Sequence, residues 1–87
     1  MIYLVSYDLN KPGQDYQALI DAIQTYDGYC KALWSQWFIY SNESAKDIYE
    51  HLRAYIDDND RLLVCEITEN QKGWLSKEVV AWLKMHF

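Results

Sequence analysis

Alternating and continuous runs of apolar residues, separated by polar turns, predict four strands. The first run, Ile2-Tyr3-Leu4-Val5-Ser6-Tyr7, is rich in β-branched and aromatic residues and ends in the turn-forming residues 8–13. Three further strands are predicted over residues 29–33, 36–41 and 61–68. The run Trp37-Phe38-Ile39-Tyr40 is apolar on both faces, which indicates a central position in the sheet.

Residues 14–26 have the spacing of an amphipathic helix, with apolar side chains at positions 16, 19, 20, 23 and 26. Pro12 and Gly13 mark the entry to this helix, and Asp15 is predicted to cap its first turn. Gly28 follows the last apolar position, so it is predicted to close the helix in the left-handed conformation.

Two more helices are predicted, on either side of the last strand. Ser44 and Asp47 have the spacing of a capping box, and an apolar stripe follows from Ala45 to Ile56. The acidic run over residues 57–60 ends this helix. It lacks the Gly and distal Glu of an EF-hand calcium loop, so a solvated turn is predicted. A loop over residues 69–73 leads into a C-terminal helix over residues 74–87.

The order of these elements predicts a single α+β domain over residues 1–87. Residues 1–68 form a ferredoxin-like βαββαβ antiparallel sheet with strands one and three in the centre, and residues 73–87 add a helix. The first strand is apolar on both faces, with Ile2 and Leu4 on one and Tyr3, Val5 and Tyr7 on the other. The second face must therefore be covered by the C-terminal helix, by a second subunit, or by both.

The net charge of −5 opposes non-specific binding to nucleic acid and favours basic partners. Cys30 and Cys65 fall on opposite edge strands, too far apart for a disulfide, and are predicted to be small buried hydrophobic residues. The sequence has no signal peptide and no apolar run of membrane length, so a cytoplasmic protein without membrane association is expected.

Short motifs at the strand ends resemble a known family. Tyr7-Asp8, the third strand Gln36-Trp37-Phe38-Ile39 and the run Asp60-Arg61-Leu62-Leu63-Val64 resemble the CRISPR-associated Cas-two family over roughly residues 1–68. Together with residues 9–14 and Gly73-Trp74-Leu75, these motifs look like little-characterised bacterial and phage proteins often labelled SinR-family, over nearly the whole chain.

The resemblance implies a ferredoxin-like homodimer that acts on nucleic acid, either as a Mg²⁺-dependent nuclease or as a structural adaptor. The position that matches the family's proposed metal ligand is Asp8, which would also be the catalytic residue. Mg²⁺ prefers carboxylate oxygens, and a twofold axis would pair two copies of Asp8. Reasoning from the residues leaves another role open for Asp8, because its carboxylate can also bond the backbone of the following turn.

A second class of function also follows from the residues. The helix over residues 14–26 has no Lys or Arg, whereas a nucleic-acid site needs a basic patch. The alternative is a non-enzymatic acidic interaction protein, for example an anti-CRISPR-like inhibitor, borne by a phage or mobile element, that occupies a basic nucleic-acid-binding protein.

Other chemistry-bearing residues are open to two interpretations. Four tryptophans can stack on bases or belong to the core or an interface: Trp34, Trp37, Trp74 and Trp82. Glu66 can add a second carboxylate or lie on the surface. His51 and His86 lack zinc-site spacing.

Overall fold

The computed structural model describes residues 1–10 and 16–87 and contains four strands and three helices in these ranges. The elements are β1 (Ile2–Asp8), α1 (Gln17–Ile23), β2 (Gly28–Leu33), β3 (Gln36–Tyr40), α2 (Ala45–Arg53), β4 (Arg61–Ile67) and α3 (Lys77–His86). Their order confirms the predicted α+β class. The predicted helix entry at Pro12, Gly13, Gln14 and Asp15 lies outside the described residues.

The four strands form one sheet in the order β2-β3-β1-β4, and each neighbouring pair is antiparallel. The central position predicted for strands one and three is therefore confirmed. Val5 is opposite Trp37 on one side and Val64 on the other. This topology is that of a ferredoxin-like sheet with an additional C-terminal helix.

The face of the sheet that carries Tyr3 and Val5 packs against α1 and α2. These apolar side chains alternate along β1 and meet the apolar stripes of both helices. Fully buried members of this core include Val5, Leu19, Ile23, Ile39, Ile48 and Leu52. Ser44 caps α2 by accepting a hydrogen bond from the Asp47 backbone N–H at 3.1 Å, which confirms the predicted cap.

Helix α3 covers part of the other sheet face. Val79 and Leu83 pack against Ile2 and Phe38 in a second core. The helix begins at Lys77 rather than at Trp74, because the Ser76 hydroxyl accepts the Val79 backbone N–H and caps the first turn. None of the described helices has the length and apolar character needed to cross a lipid bilayer.

Gly28 permits α3 to pack closely on the sheet. It is the first residue of β2, and its φ lies outside the left-handed region, so its predicted role as a helix-closing residue is wrong. A Cβ at this position would lie 3.0 Å from Nε2 of His86, 3.3 Å from Cβ of Tyr40 and 3.4 Å from Cζ2 of Trp82. The glycine is therefore required by close packing.

The buried carboxylate of Asp60 connects three segments of the chain near the end of β1 through hydrogen bonds. The side chain of Asp60 accepts the backbone N–H of Asn10 and that of Asp57, both at 2.8 Å, and the Tyr16 hydroxyl at 3.4 Å. Asp60 is only 6% exposed. The prediction of a solvated turn over residues 57–60 is thus wrong for Asp60, because its carboxylate satisfies backbone donors that lie close to the core.

The two cysteines are free and lie on the edge strands β2 and β4, as predicted. Both are half-buried rather than fully buried, because α3 covers only part of their face. Burial raises the pKa of the Cys30 thiol.

Replacement of Asp60 by asparagine is expected to lower the free energy of unfolding by about 1–3 kcal/mol, because a buried backbone donor loses its acceptor. The matched control is Asp58→Asn, since Asp58 is 98% exposed and, among the described residues, pairs with Arg53 alone. The control should have a much smaller effect, as is usual for surface ion pairs. Urea denaturation measures both variants, and equal effects would contradict the role assigned to Asp60.

Replacement of Gly28 by alanine is expected to lower the free energy of unfolding by about 1–3 kcal/mol through overpacking against α3. Gly73→Ala is the matched control, because the nearest atom to its added Cβ is Cγ of Leu75 at 3.7 Å, an ordinary contact. Urea denaturation followed by tryptophan fluorescence tests this difference. A tolerated Gly28→Ala would mean that α3 does not pack on β2 in this way.

Candidate functional site

Asp8 is the last residue of β1, and its side chain is exposed. It stands opposite Arg61, the first residue of β4. Among the described residues, Asp8 has no hydrogen-bond or ion-pair partner. The turn-forming role considered for Asp8 therefore has no support in the described ranges, and Asp60 supplies the carboxylate that bonds the backbone of Asn10.

The guanidinium of Arg61 is oriented by the turn that precedes it. Its Nη1 donates a hydrogen bond to the backbone carbonyl oxygen of Asp60 at 3.1 Å. A cation thus stands across from Asp8 without forming an ion pair with it. Both charged groups remain accessible, so this end of the sheet can contact a ligand of either sign.

Asp8 and Arg61 line a shallow cleft of about 220 Å³. Ser6 lies on the same side of β1 as Asp8 and accepts a hydrogen bond from Nε2 of Gln36 at 3.1 Å. Tyr7 points to the opposite face, where its hydroxyl accepts a hydrogen bond from Nε1 of Trp37 at 3.2 Å. Ser6 and Tyr7 thus point to opposite faces of the sheet, as successive residues of a strand do.

The part of the second sheet face nearest to Asp8 extends beyond the second core. We call it the open sheet surface, and the register puts its five residues on one face: Leu4, Ser6, Gln36, Leu63 and Cys65. Leu63 is 58% exposed, whereas Leu4 and Cys65 are half-buried. The exposed Leu63, on the edge strand β4, continues the half-buried Leu4 and Cys65, and a contiguous apolar patch of this kind is a candidate contact surface.

The turn between β2 and β3 lies beside the end of β1, because the Tyr7 backbone N–H donates to the Ser35 carbonyl oxygen at 3.1 Å. Trp34 in this turn is 88% exposed. The Nζ atom of Lys31 lies 5.1 Å from the centroid of the Trp34 ring, within range of a cation–π interaction. An exposed aromatic ring and a second cation thus lie at the Asp8 end of the sheet.

Glu66 does not join this site. It is paired with Tyr3 near the other end of β4, about 17 Å along the strand from Arg61, since each residue advances a strand by about 3.4 Å. Its side chain is on the opposite face from Asp8. Burial and, to a smaller extent, the Glu66 carboxylate raise the pKa of the Tyr3 hydroxyl.

The histidines and the other tryptophans also lie elsewhere. The Nδ1 atom of His51 is 2.8 Å from the Tyr26 hydroxyl on the α1–α2 side, and His86 bonds the Trp82 carbonyl oxygen within α3. Trp37 is buried in the core, Trp82 stacks on Phe38 with 6.4 Å between ring centroids, and Trp74 is fully exposed before α3. Of the four tryptophans, Trp34 is the exposed one in the turn beside the end of β1.

A metal ion fits this arrangement only in part. Across residues 1–10 and 16–87, no three His, Cys, Asp or Glu side chains converge into a group that could hold one. Asp8 supplies a single carboxylate, and the facing cation of Arg61 opposes a second positive charge. Among the described residues, Asp8 would therefore be one carboxylate ligand of a magnesium ion, with the other ligands supplied by water, by phosphate oxygens or by a second chain.

Two residues of the site were not predicted as functional, Arg61 and Leu63. The alternation of β4 puts both on one face together with Cys65, and this signal was present in the sequence. The register of β4 against β1, which brings Arg61 opposite Asp8, could not be obtained from spacing alone.

The chain matches no protein-family model and no solved structure. The topology of the sheet is confirmed by the structure itself, while the Cas-two-like resemblance remains a prediction based on short motifs.

Proposed function

We propose that the protein is a cytoplasmic homodimer that handles nucleic acid in the manner of Cas-two-like proteins. The observation that carries the proposal is the grouping of Asp8, Arg61 and the exposed Trp34 at one end of the sheet. A free carboxylate, accessible cations and an exposed aromatic ring are the residue types that metal-assisted contact with a phosphate backbone uses.

Single-stranded nucleic acid suits this end of the sheet better than a duplex does. Trp34 can stack on an unpaired base, a contact that contributes about 1–3 kcal/mol per base. Arg61 on the Asp8 face, and Lys31 beside the Trp34 ring on the opposite face, can contact phosphate oxygens of a strand that passes this end of the sheet. With two cations here among the described residues and a net charge of −5, binding is expected to be weak and sensitive to salt.

The exposed apolar residue on the open sheet surface, Leu63, supports the homodimer. A twofold axis would bring the exposed Leu63 of one copy against the same patch of the other, as an isologous interface requires. Burying one leucine side chain contributes about 1.5–3 kcal/mol. Since Ser6 and Leu63 are opposite each other, the same axis would lie close to Asp8.

In that dimer the two Asp8 carboxylates would be the residues that hold Mg²⁺. A bound Mg²⁺ would neutralise charge on a phosphate and polarise a water molecule. Asp8 itself would supply anionic oxygens, and Ser6 on the same face would supply a hydroxyl. Without the metal, Asp8 would repel phosphate and no water would be activated. The dimer would then act as a structural adaptor rather than as a nuclease.

Binding of fluorescein-labelled single-stranded DNA and RNA at low salt tests this proposal by fluorescence polarisation. Trp34→Ala is expected to weaken binding by about tenfold, as the loss of one stacked base implies. Trp74→Ala is the matched control, since Trp74 is exposed but distant from Asp8. Asp8→Asn should remove any strengthening by Mg²⁺ and tighten binding in the presence of a chelator.

The proposal fails if Trp34→Ala and Trp74→Ala weaken binding equally. It also fails if Mg²⁺ strengthens nucleic-acid binding by Asp8→Asn as much as it strengthens binding by the original chain. Any cleavage of the labelled strand should require Mg²⁺ or Mn²⁺ and disappear in Asp8→Asn. Cleavage that persists in both cases would contradict the assigned metal ligand.

A second candidate function, an acidic interaction protein, is favoured by the charges on the helical face. Both cations of α2 are already paired, Lys46 with Glu50 at 3.9 Å and Arg53 with Asp58 at 2.6 Å. Helix α1 (Gln17–Ile23) carries Asp21 and no cation. No binding of either labelled strand at low salt would support this candidate, whose partner is a basic nucleic-acid-binding protein.

A further inference from the structure

A groove runs between the segment over residues 71–75 and α3, away from Asp8. It consists of two adjoining cavities of about 310 and 280 Å³ that share Leu75, Val80 and Lys84. We call it the α3 groove and define it by six lining residues: the apolar Leu75, Val80 and Leu83 and the cationic Lys72, Lys77 and Lys84. Its combined volume is large enough for the apolar side chains of a ligand.

The charge of the α3 groove is opposite to that of the whole protein. Residues 71–87 hold three of the eight Lys and Arg residues but only one of the thirteen acids, Glu78. Lys77 and Lys84 are seven residues apart and lie on the same side of α3 as Val80. None of the three lysines forms an ion pair or hydrogen bond with a described residue.

The apolar floor of the groove is partly accessible. Leu83 is buried against the sheet, whereas Leu75 and Val80 are half-buried. Two large apolar residues flank the groove and are more exposed, Trp74 at 100% and Met85 at 79%. An apolar strip edged by unpaired cations is complementary to a ligand that has apolar and anionic groups side by side.

We propose that the α3 groove binds an amphipathic acidic helix of a partner protein. Leucine-like side chains of that helix would fill the space over Leu75 and Val80, and its carboxylates would meet Lys72, Lys77 and Lys84. Phe87 also lines one of the two cavities, but the residues that both cavities share, Leu75, Val80 and Lys84, are not aromatic. This shared centre favours leucine-like side chains of a peptide over bases, because bases are held by aromatic platforms. A second copy of this chain is disfavoured as the occupant of the groove. Head-to-tail binding between identical copies would always leave one groove empty, so the assembly would not close.

The proposal is independent of the proposed function, because the groove and the Asp8 end share no residue. If both hold, the protein joins a nucleic-acid strand to an acidic partner through two separate surfaces.

The probe is a synthetic labelled helical peptide with leucines at i, i+3 and i+7 and glutamates between them. The full chain should bind it at low salt, and a control peptide with glutamine in place of glutamate should bind more weakly. Lys84→Gln is expected to weaken binding by about fivefold. Lys46→Gln removes an equal charge from α2, where Lys46 lies outside the groove, and should have little effect.

A second pair of variants tests the location. Ala81→Glu adds an acid within the groove and should abolish binding, whereas Ala18→Glu makes the same change at an exposed position of α1 outside the lining residues and should have little effect. Both positions are exposed and helical, so both variants should fold, as circular dichroism can verify. The proposal is overturned if the two variants behave alike or the glutamine peptide binds equally. It is also overturned if single-stranded DNA displaces the peptide from the original chain, because the groove and the Asp8 end share no residue.

Discussion

The carboxylate of Asp60 is the interaction on which the end of the sheet depends. It accepts backbone donors from Asn10 and Asp57 and the hydroxyl of Tyr16, so it joins the exit of β1, the start of α1 and the connection between α2 and β4. The next residue, Arg61, begins β4 opposite Asp8. The backbone carbonyl of Asp60 also orients the Arg61 guanidinium. The geometry of the candidate site thus rests on a buried acid that is not itself part of it.

Helix α3 determines which part of the second sheet face can act as a binding surface. Because Gly28 lacks a Cβ, His86 and Trp82 approach β2 closely, and the helix covers the Ile2 and Phe38 end of that face. The Asp8 end, including Leu63, lies beyond this second core. The other side of α3 lines the α3 groove, whose three lysines form no ion pair with a described residue. Helix α3 therefore separates two surfaces of different chemistry, the open sheet surface and the α3 groove.

Periodicity was sufficient to predict all four strands, the central position of β1 and β3 and the Ser44 cap, because each depends on local alternation or local hydrogen bonding. The burial of Asp60 depends on Asn10 and Tyr16, 50 and 44 residues away, and the role of Gly28 depends on Trp82 and His86, 54 and 58 residues away. Spacing along the chain does not report such contacts. For the site, the sequence pointed to Asp8. The pairing of Asp8 with Arg61 and the proximity of Trp34 required the register of the strands.

The central claim is that two chains associate through the open sheet surface and so bring two Asp8 side chains together. Multi-angle light scattering at micromolar concentration tests it most directly. The original chain and Met85→Glu should have about twice the 10.4 kDa mass of one chain, whereas Leu63→Glu, which puts a charge in the proposed interface, should have the mass of a monomer. A monomeric original chain, or a Leu63→Glu variant that remains dimeric, would contradict the account.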